Sequence, residues 1–171
     1  ELLSKNYRQA SELAKVPQVE EERIIWQLLA AIGAWTDGSL DTAQAIIYDI
    51  ELPENGLILR DPVAVALGRL ASEASNTSLK VNNIIPEVPA HFLSDKGKLL
   101  FFQSLSSVTD GIALLQALPT LEELQKPAIL ALARAIGRSG SNESALNIVK
   151  TYPLWADDIL VAAIGGFLEV G

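Results

Sequence analysis

Cysteine and methionine are both absent from the 171 residues, and histidine occurs once, at His91. Without thiols there are no disulfides, no thiolate metal sites and no cysteine nucleophile. One imidazole excludes every site that needs two. Charge is sparse as well: charged residues make up 20%, with 13 Lys+Arg against 21 Asp+Glu and a formal net charge of −8. That acidic balance argues against nucleic acid as a partner, because such binding is driven by neutralising phosphates with a basic surface. Long apolar runs are missing too. The longest, Ile159–Leu168, falls short of the roughly 20 residues that a transmembrane helix needs. The first six residues lack the basic start and apolar run of a signal peptide. A chain that begins at Glu1 and has no Met is expected to be a segment of a longer protein. Its compartment stays open between the cytoplasm and the periplasm or cell envelope of a bacterium, with the balance toward the periplasm.

Apolar residues, by contrast, are plentiful at 49%, and the mean hydropathy is +0.26. The chain is too apolar for disorder and can bury a sizeable core. Its internal organisation shows in the prolines. Pro53, Pro86, Pro119 and Pro153 are separated by 33, 33 and 34 residues, and Pro17 stands 36 before the first. Several close an apolar stripe with i, i+3, i+4, i+7 spacing, one face of a helix. The stripes are Ala43, Ile46, Ile47 and Ile50; Gly111, Leu114, Leu115 and Leu118; and Ala145, Ile148, Val149 and Tyr152. A weaker one is Ser78, Val81, Asn82 and Ile85.

Ser39, Thr109 and Ser141, each followed by an acid, are expected to cap these short helices. Longer helices are expected near Val19–Trp35, Pro62–Ser75, Ser94–Ser106, Pro127–Arg138 and Trp155–Val170. Thr120 to Glu123 reads as a capping box, Pro127 as a helix start or kink, and Gly137 to Gly140 as an interhelix turn. The expectation is an all-α chain of about ten helices, arranged as antiparallel pairs in one repeat domain over residues 1–171. Its units end near Pro17, Pro53, Pro86, Pro119 and Pro153.

Ile129, Leu132, Ala133, Ile136, Gly140, Ala145, Val149 and Pro153 match the order of residue types in the tetratricopeptide repeat, a 34-residue helix–turn–helix. A looser copy is Trp26, Ala30, Ala31, Ala34, Gly38, Ala43, Ile47 and Pro53. The chain therefore resembles a degenerate member of that family. The resemblance implies a right-handed superhelical solenoid that offers a concave surface and no closed pocket. Such a fold is a scaffold or regulatory module that binds a peptide or partner protein and is not an enzyme. In this family the first helix of each pair lines the concave face. Lys96, Lys98, Arg134 and Arg138 fall on first helices and are candidate contacts to an acidic peptide or carboxylate, with Trp35 as a candidate groove anchor.

The remaining aromatics, Trp26, Phe101, Phe102, Trp155 and Phe167, are expected mainly in the interhelix core, with one or two free to anchor a partner. His91 is the residual candidate for a small-molecule or catalytic site, with Glu87, Ser94 and Asp95 near it in sequence. No cofactor or metal is expected, since neither a Walker motif nor GxGxxG is present. The alternative reading is a structural spacer or self-assembly domain of a larger, envelope-associated protein, joined through apolar end faces.

Overall fold

The computed structural model describes residues 6–16, 20–50, 58–59, 61–76 and 89–171. Among them every regular element is helical and no strand forms, so the chain is all-α. Two compact units are present, Glu1–Leu59 and Arg60–Gly171. The weaker stripe from Ser78 to Ile85, and Pro17, Pro53 and Pro86 with it, lies outside the described residues.

The first unit holds α1 (Tyr7–Ala14), α2 (Glu20–Thr36) and α3 (Leu40–Tyr48). The Asn6 side chain caps α1 by accepting the Gln9 N–H, which satisfies one of the orphan donors at a helix start. The expected stripe Ala43, Ile46, Ile47 and Ile50 is buried, as are Ile24, Leu28 and Ala31 of α2, the helix that α3 packs against. The Tyr7 ring lies so close to Gly33 that a methyl group there would overlap it. Gly38 turns the chain between α2 and α3 with φ 80°. The Ser39 N–H then donates to the Ala34 carbonyl at 2.8 Å, closing a Schellman turn that a left-handed glycine permits. Lys15, after α1, forms an ion pair with Asp49, after α3.

The second unit comprises α4 (Asp61–Asn76), α5 (Asp95–Gln103), α6 (Glu122–Ser139), α7 (Asn142–Thr151) and α8 (Ala156–Val170), with 3-10 segments at Ile112–Ala117 and Pro153–Trp155. Residues 89–92 are also helical. Bonds at corresponding ends show that α4, α5, α6 and α8 run in one direction, each beside the next. Asp61 pairs with Lys96 at 3.0 Å, and the Ser106 N–H donates to Ser72 Oγ at 2.9 Å. Asp95, in the first turn of α5, accepts from Thr120 and Leu121 just before α6. Arg138 at the end of α6 donates to the carbonyls of Leu105 and Ser106. Lys126 meets Asp158 near the starts of α6 and α8, and Arg138 meets Glu169 near their ends.

The core runs along this row. Phe101 and Phe102 are fully buried and edge to face, with centroids 5.2 Å apart. Ala128, Ile129, Leu132, Ala133, Ala135, Ile136 and Gly137 are all buried on α6, which makes it the central helix of the unit. A methyl group on Gly137 would collide with the Ala163 carbonyl, and one on Gly166 with the Arg134 carbonyl. The α6 and α8 backbones are therefore in direct contact at their crossing.

Several local expectations are corrected. The stripe at Gly111–Leu118 forms a 3-10 segment, not an α-helix. A 3-10 coil rises about 2.0 Å per residue against 1.5 Å for an α-helix, so six residues cover more of the return path from α5 to α6. Thr109 consequently caps no helix, and its carbonyl accepts the Ser144 hydroxyl. Ser39 and Ser141 occupy N-cap positions, but their side chains make no cap bond. Thr120 does not cap α6 because its hydroxyl donates to the charged Asp95, a stronger acceptor than a neutral one. Pro127 lies inside α6 without starting it. The donor it lacks would have served the carbonyl of exposed Glu123, which water can reach. Gly137 belongs to the helix, and only Gly140, with φ 74°, makes the turn.

Denaturation of three single variants checks the α6–α8 crossing. Gly137→Ala and Gly166→Ala are expected to destabilise by about 1–3 kcal/mol or more through overpacking. Gly165→Ala, with open space at its Cβ, should instead be neutral or gain up to about 1 kcal/mol of helix propensity.

Candidate functional site

The four cations singled out from sequence all stand beside carboxylates of this chain. Lys96 is bonded to Asp61. Lys98 is buried and lies 3.8 Å from Asp95. Arg134 donates through Nε to Glu169 at 2.7 Å, and its terminal nitrogen meets the same oxygen. Arg138 binds the other Glu169 oxygen at 2.7 Å. The structure thus brings Arg134 and Arg138 together, one turn apart on α6, with Glu169 across both. Lys96 joins α5 to α4, and Lys98 meets Asp95 within α5 itself. Trp35 falls near the end of α2, and its side chain lies outside those described.

His91 is exposed, with its ring edge toward Phe92. Of the residues near it in sequence, Glu87 lies outside the described set, and Ser94 caps α5 by accepting the Gly97 N–H. Asp95 is held by Thr120 and Leu121. Among the described residues no three His, Asp or Glu side chains are grouped to hold a metal, and no helix is long and apolar enough to cross a membrane.

The surface with the strongest chemical character is apolar. A groove of about 350 Å³ runs between α7 and α8 and is lined by Ala145, Leu146, Leu160, Ile164 and Phe167, with Asn142 at one end. It forms because α8 meets α6 through Ile159, Ala163 and Gly166, which leaves the flank with Leu160, Ile164 and Phe167 turned outward. Val161 and Leu168 extend the stripe and are 70% and 71% exposed. Phe167 is 61% exposed, whereas Phe101 and Phe102 are core. At the α7–α8 corner Tyr152 and Trp155 stack with planes 11° apart, and burial pushes the Tyr152 phenol up. Sequence reading pointed to cations and, separately, to apolar end faces, but not to which flank of α8 is open. A hydrophobic stripe looks the same in sequence whether a neighbour covers it or not.

Two carboxylates are electrostatically tuned. For Asp95, burial alone would raise the pKa, but hydrogen bonds from Thr120 and Leu121 and the nearby Lys98 together hold it below its ordinary value. Glu169 is likewise held low, first by Arg134 and then by Arg138.

Comparison with protein-family models, curated proteins and solved structures finds no match.

Because Asp95 titrates lower in the folded than in the unfolded chain, the stability it contributes is fully present above the unfolded carboxylate pKa. It is lost as pH falls through the lower folded value. Asp95→Asn is therefore expected to lower the melting temperature by a few degrees at neutral pH. Melting curves across the acid range should show its gap to wild type closing as the pH drops below about 4.

Proposed function

We propose that this chain is a tetratricopeptide-like helical-repeat solenoid that binds another protein, with the outward flank of α8 and the α7–α8 groove as the docking surface. The reading is that of an interaction scaffold without catalysis of its own. The observation that carries it is the exposed stripe of Leu160, Val161, Ile164, Phe167 and Leu168. Covering one such side chain stabilises a contact by about 1.5–3 kcal/mol, and patches of this kind mark interaction sites.

The repeat reading is supported by the spacing of bonds within the second unit. The pairs Asp61–Lys96, Ser72–Ser106, Lys126–Asp158 and Arg134–Glu169 join residues 35, 34, 32 and 35 positions apart. The left-handed glycines of the two helical hairpins, Gly38 and Gly140, are 102 positions apart, which is three periods of 34, and each precedes a serine. In such a solenoid the row of α4, α5, α6 and α8 is the set of first helices. Lys96 and Arg134, with side chains 75% and 54% exposed, are then the reachable members of the basic strip. An acidic ligand would exchange their internal carboxylates for its own.

Sedimentation of the wild-type chain beside an Ile164→Asp, Phe167→Asp double variant tests the proposal. Both positions are exposed, so the variant should melt as the wild type does. Both chains are expected to sediment as monomers at every concentration. A photo-crosslinker at Val161 should join the wild type to a second, different polypeptide, and the variant to none. A mass that grows with concentration in the wild type alone would mean that this face joins copies of the chain. That is the spacer reading, and it would overturn the proposal.

A further inference from the structure

The first unit holds a groove of a different chemical character. It encloses about 300 Å³ between α1 and α3 and is lined by Arg8, Ser11, Glu12, Ala45, Ile46 and Asp49. The two helices run parallel, with Lys15 joined to Asp49 just after both end. In that register Arg8 stands two turns before the ion pair. Ser11 and Glu12 stand one turn before it, level with Ala45 and Ile46.

Two of these side chains carry bonding capacity that the fold leaves unused. Ser11 is only 3% exposed. A helical serine commonly donates to the carbonyl four residues earlier, as Ser72 does to Gly68 at 3.0 Å. Ser11 makes no such bond to Tyr7, and none to any other residue among those described. No fully enclosed side-chain oxygen or nitrogen among the described residues lacks a partner, so the Ser11 Oγ is open to the groove that it lines. Arg8 is exposed and has no ion-pair partner among the described residues. Glu12 lies one turn on, at a spacing where Arg and Glu side chains can pair, yet it bonds to Lys15 at 3.1 Å. Asp49 bonds to the same ammonium. One end of the groove therefore presents an unmatched guanidinium, and the other presents two carboxylates that share one cation.

We propose that this groove binds a free α-amino acid with a small aliphatic side chain. The ligand's carboxylate meets the Arg8 guanidinium and accepts from the Ser11 hydroxyl, in charge-assisted hydrogen bonds. Its ammonium donates to Glu12 and Asp49, which together carry one negative charge more than Lys15 neutralises. Its side chain lies on Ala45 and buried Ile46, the apolar wall. The charges select for both ends at once. A simple carboxylate would face Glu12 and Asp49, and a simple amine would face Arg8, each with Coulombic repulsion. The volume limits the body of the ligand, because small-molecule pockets begin at about 300 Å³. No residue of the α7–α8 surface enters this site, so it stands or falls separately from the docking reading above.

Calorimetric titration of the full 171-residue chain with L-valine tests the proposal. Saturable binding of one ligand per chain is expected. Isovalerate, which lacks the ammonium, and isobutylamine, which lacks the carboxylate, should each bind about tenfold more weakly or worse. Arg8→Gln should weaken L-valine by a similar factor and Ser11→Ala by about threefold, with both variants keeping the wild-type helical spectrum. Glu12→Gln should weaken L-valine while isovalerate binds as before or more tightly. Backbone amide shifts on titration should centre on Ser11, Ala45 and Ile46. Absence of saturable binding would leave the groove to water and overturn the proposal. Equal affinity for isovalerate or isobutylamine, indifference to Arg8→Gln, or shifts confined to other helices would overturn it as well.

Discussion

The backbones of α6 and α8 touch without side chains between them, and the second unit is arranged around that approach. Gly137 lies on the Ala163 carbonyl and Gly166 on the Arg134 carbonyl. Because the contact is reciprocal, neither helix can rotate or slide without forcing a carbonyl into a backbone. Ion pairs at both ends, Lys126 with Asp158 and Arg138 with Glu169, hold the same parallel register. Exposed pairs of this kind contribute little energy by themselves; their effect is to select one alignment among those that close packing already permits. With α6 and α8 parallel, the chain between them must return, and α7 does so in the opposite direction.

The groove is a consequence of this geometry. A helix that presents Ile159, Ala163 and Gly166 to its neighbour carries its remaining apolar residues on the adjoining flank, because the helical period places Leu160, Ile164 and Phe167 about a quarter-turn away. The acids of α8 divide by the same period. Asp158 and Glu169 lie on the side that meets Lys126, Arg134 and Arg138, whereas Asp157 stays on the apolar flank. One helix therefore presents a packed face, an ionic edge and an exposed apolar flank.

Much of the helical layout was legible beforehand. The segments at 19–35, 62–75, 94–106 and 155–170 became α2, α4, α5 and α8 to within three residues at each end, because their period and starts are local properties. The stripe of Ala43, Ile46, Ile47 and Ile50 is buried as its spacing implied. The misreadings share a cause in competition from elsewhere in the fold. Thr120 had the right sequence for a cap, but Asp95, 25 positions earlier, takes its hydroxyl. Leu114 and Leu115 had helical spacing, but the return from α5 to α6 required the longer reach of a 3-10 coil. The cations on α5 and α6 are a different case: Asp61, Asp95 and Glu169 of this same chain lie against them, which sequence spacing does not show.

Sequence alone determined that the chain is helical, where most of its helices run and which residues are apolar enough to be buried. These follow from periodicity and from the conformational limits of proline and glycine, both of which act over a few residues. Tertiary structure decided which apolar stripes are covered. Ile129, Leu132 and Ile136 of α6 are buried, while Leu160, Ile164 and Phe167 of α8, at comparable helical spacing, are exposed. The reason is physical: burial belongs to a pair of surfaces, and a sequence window contains only one of them.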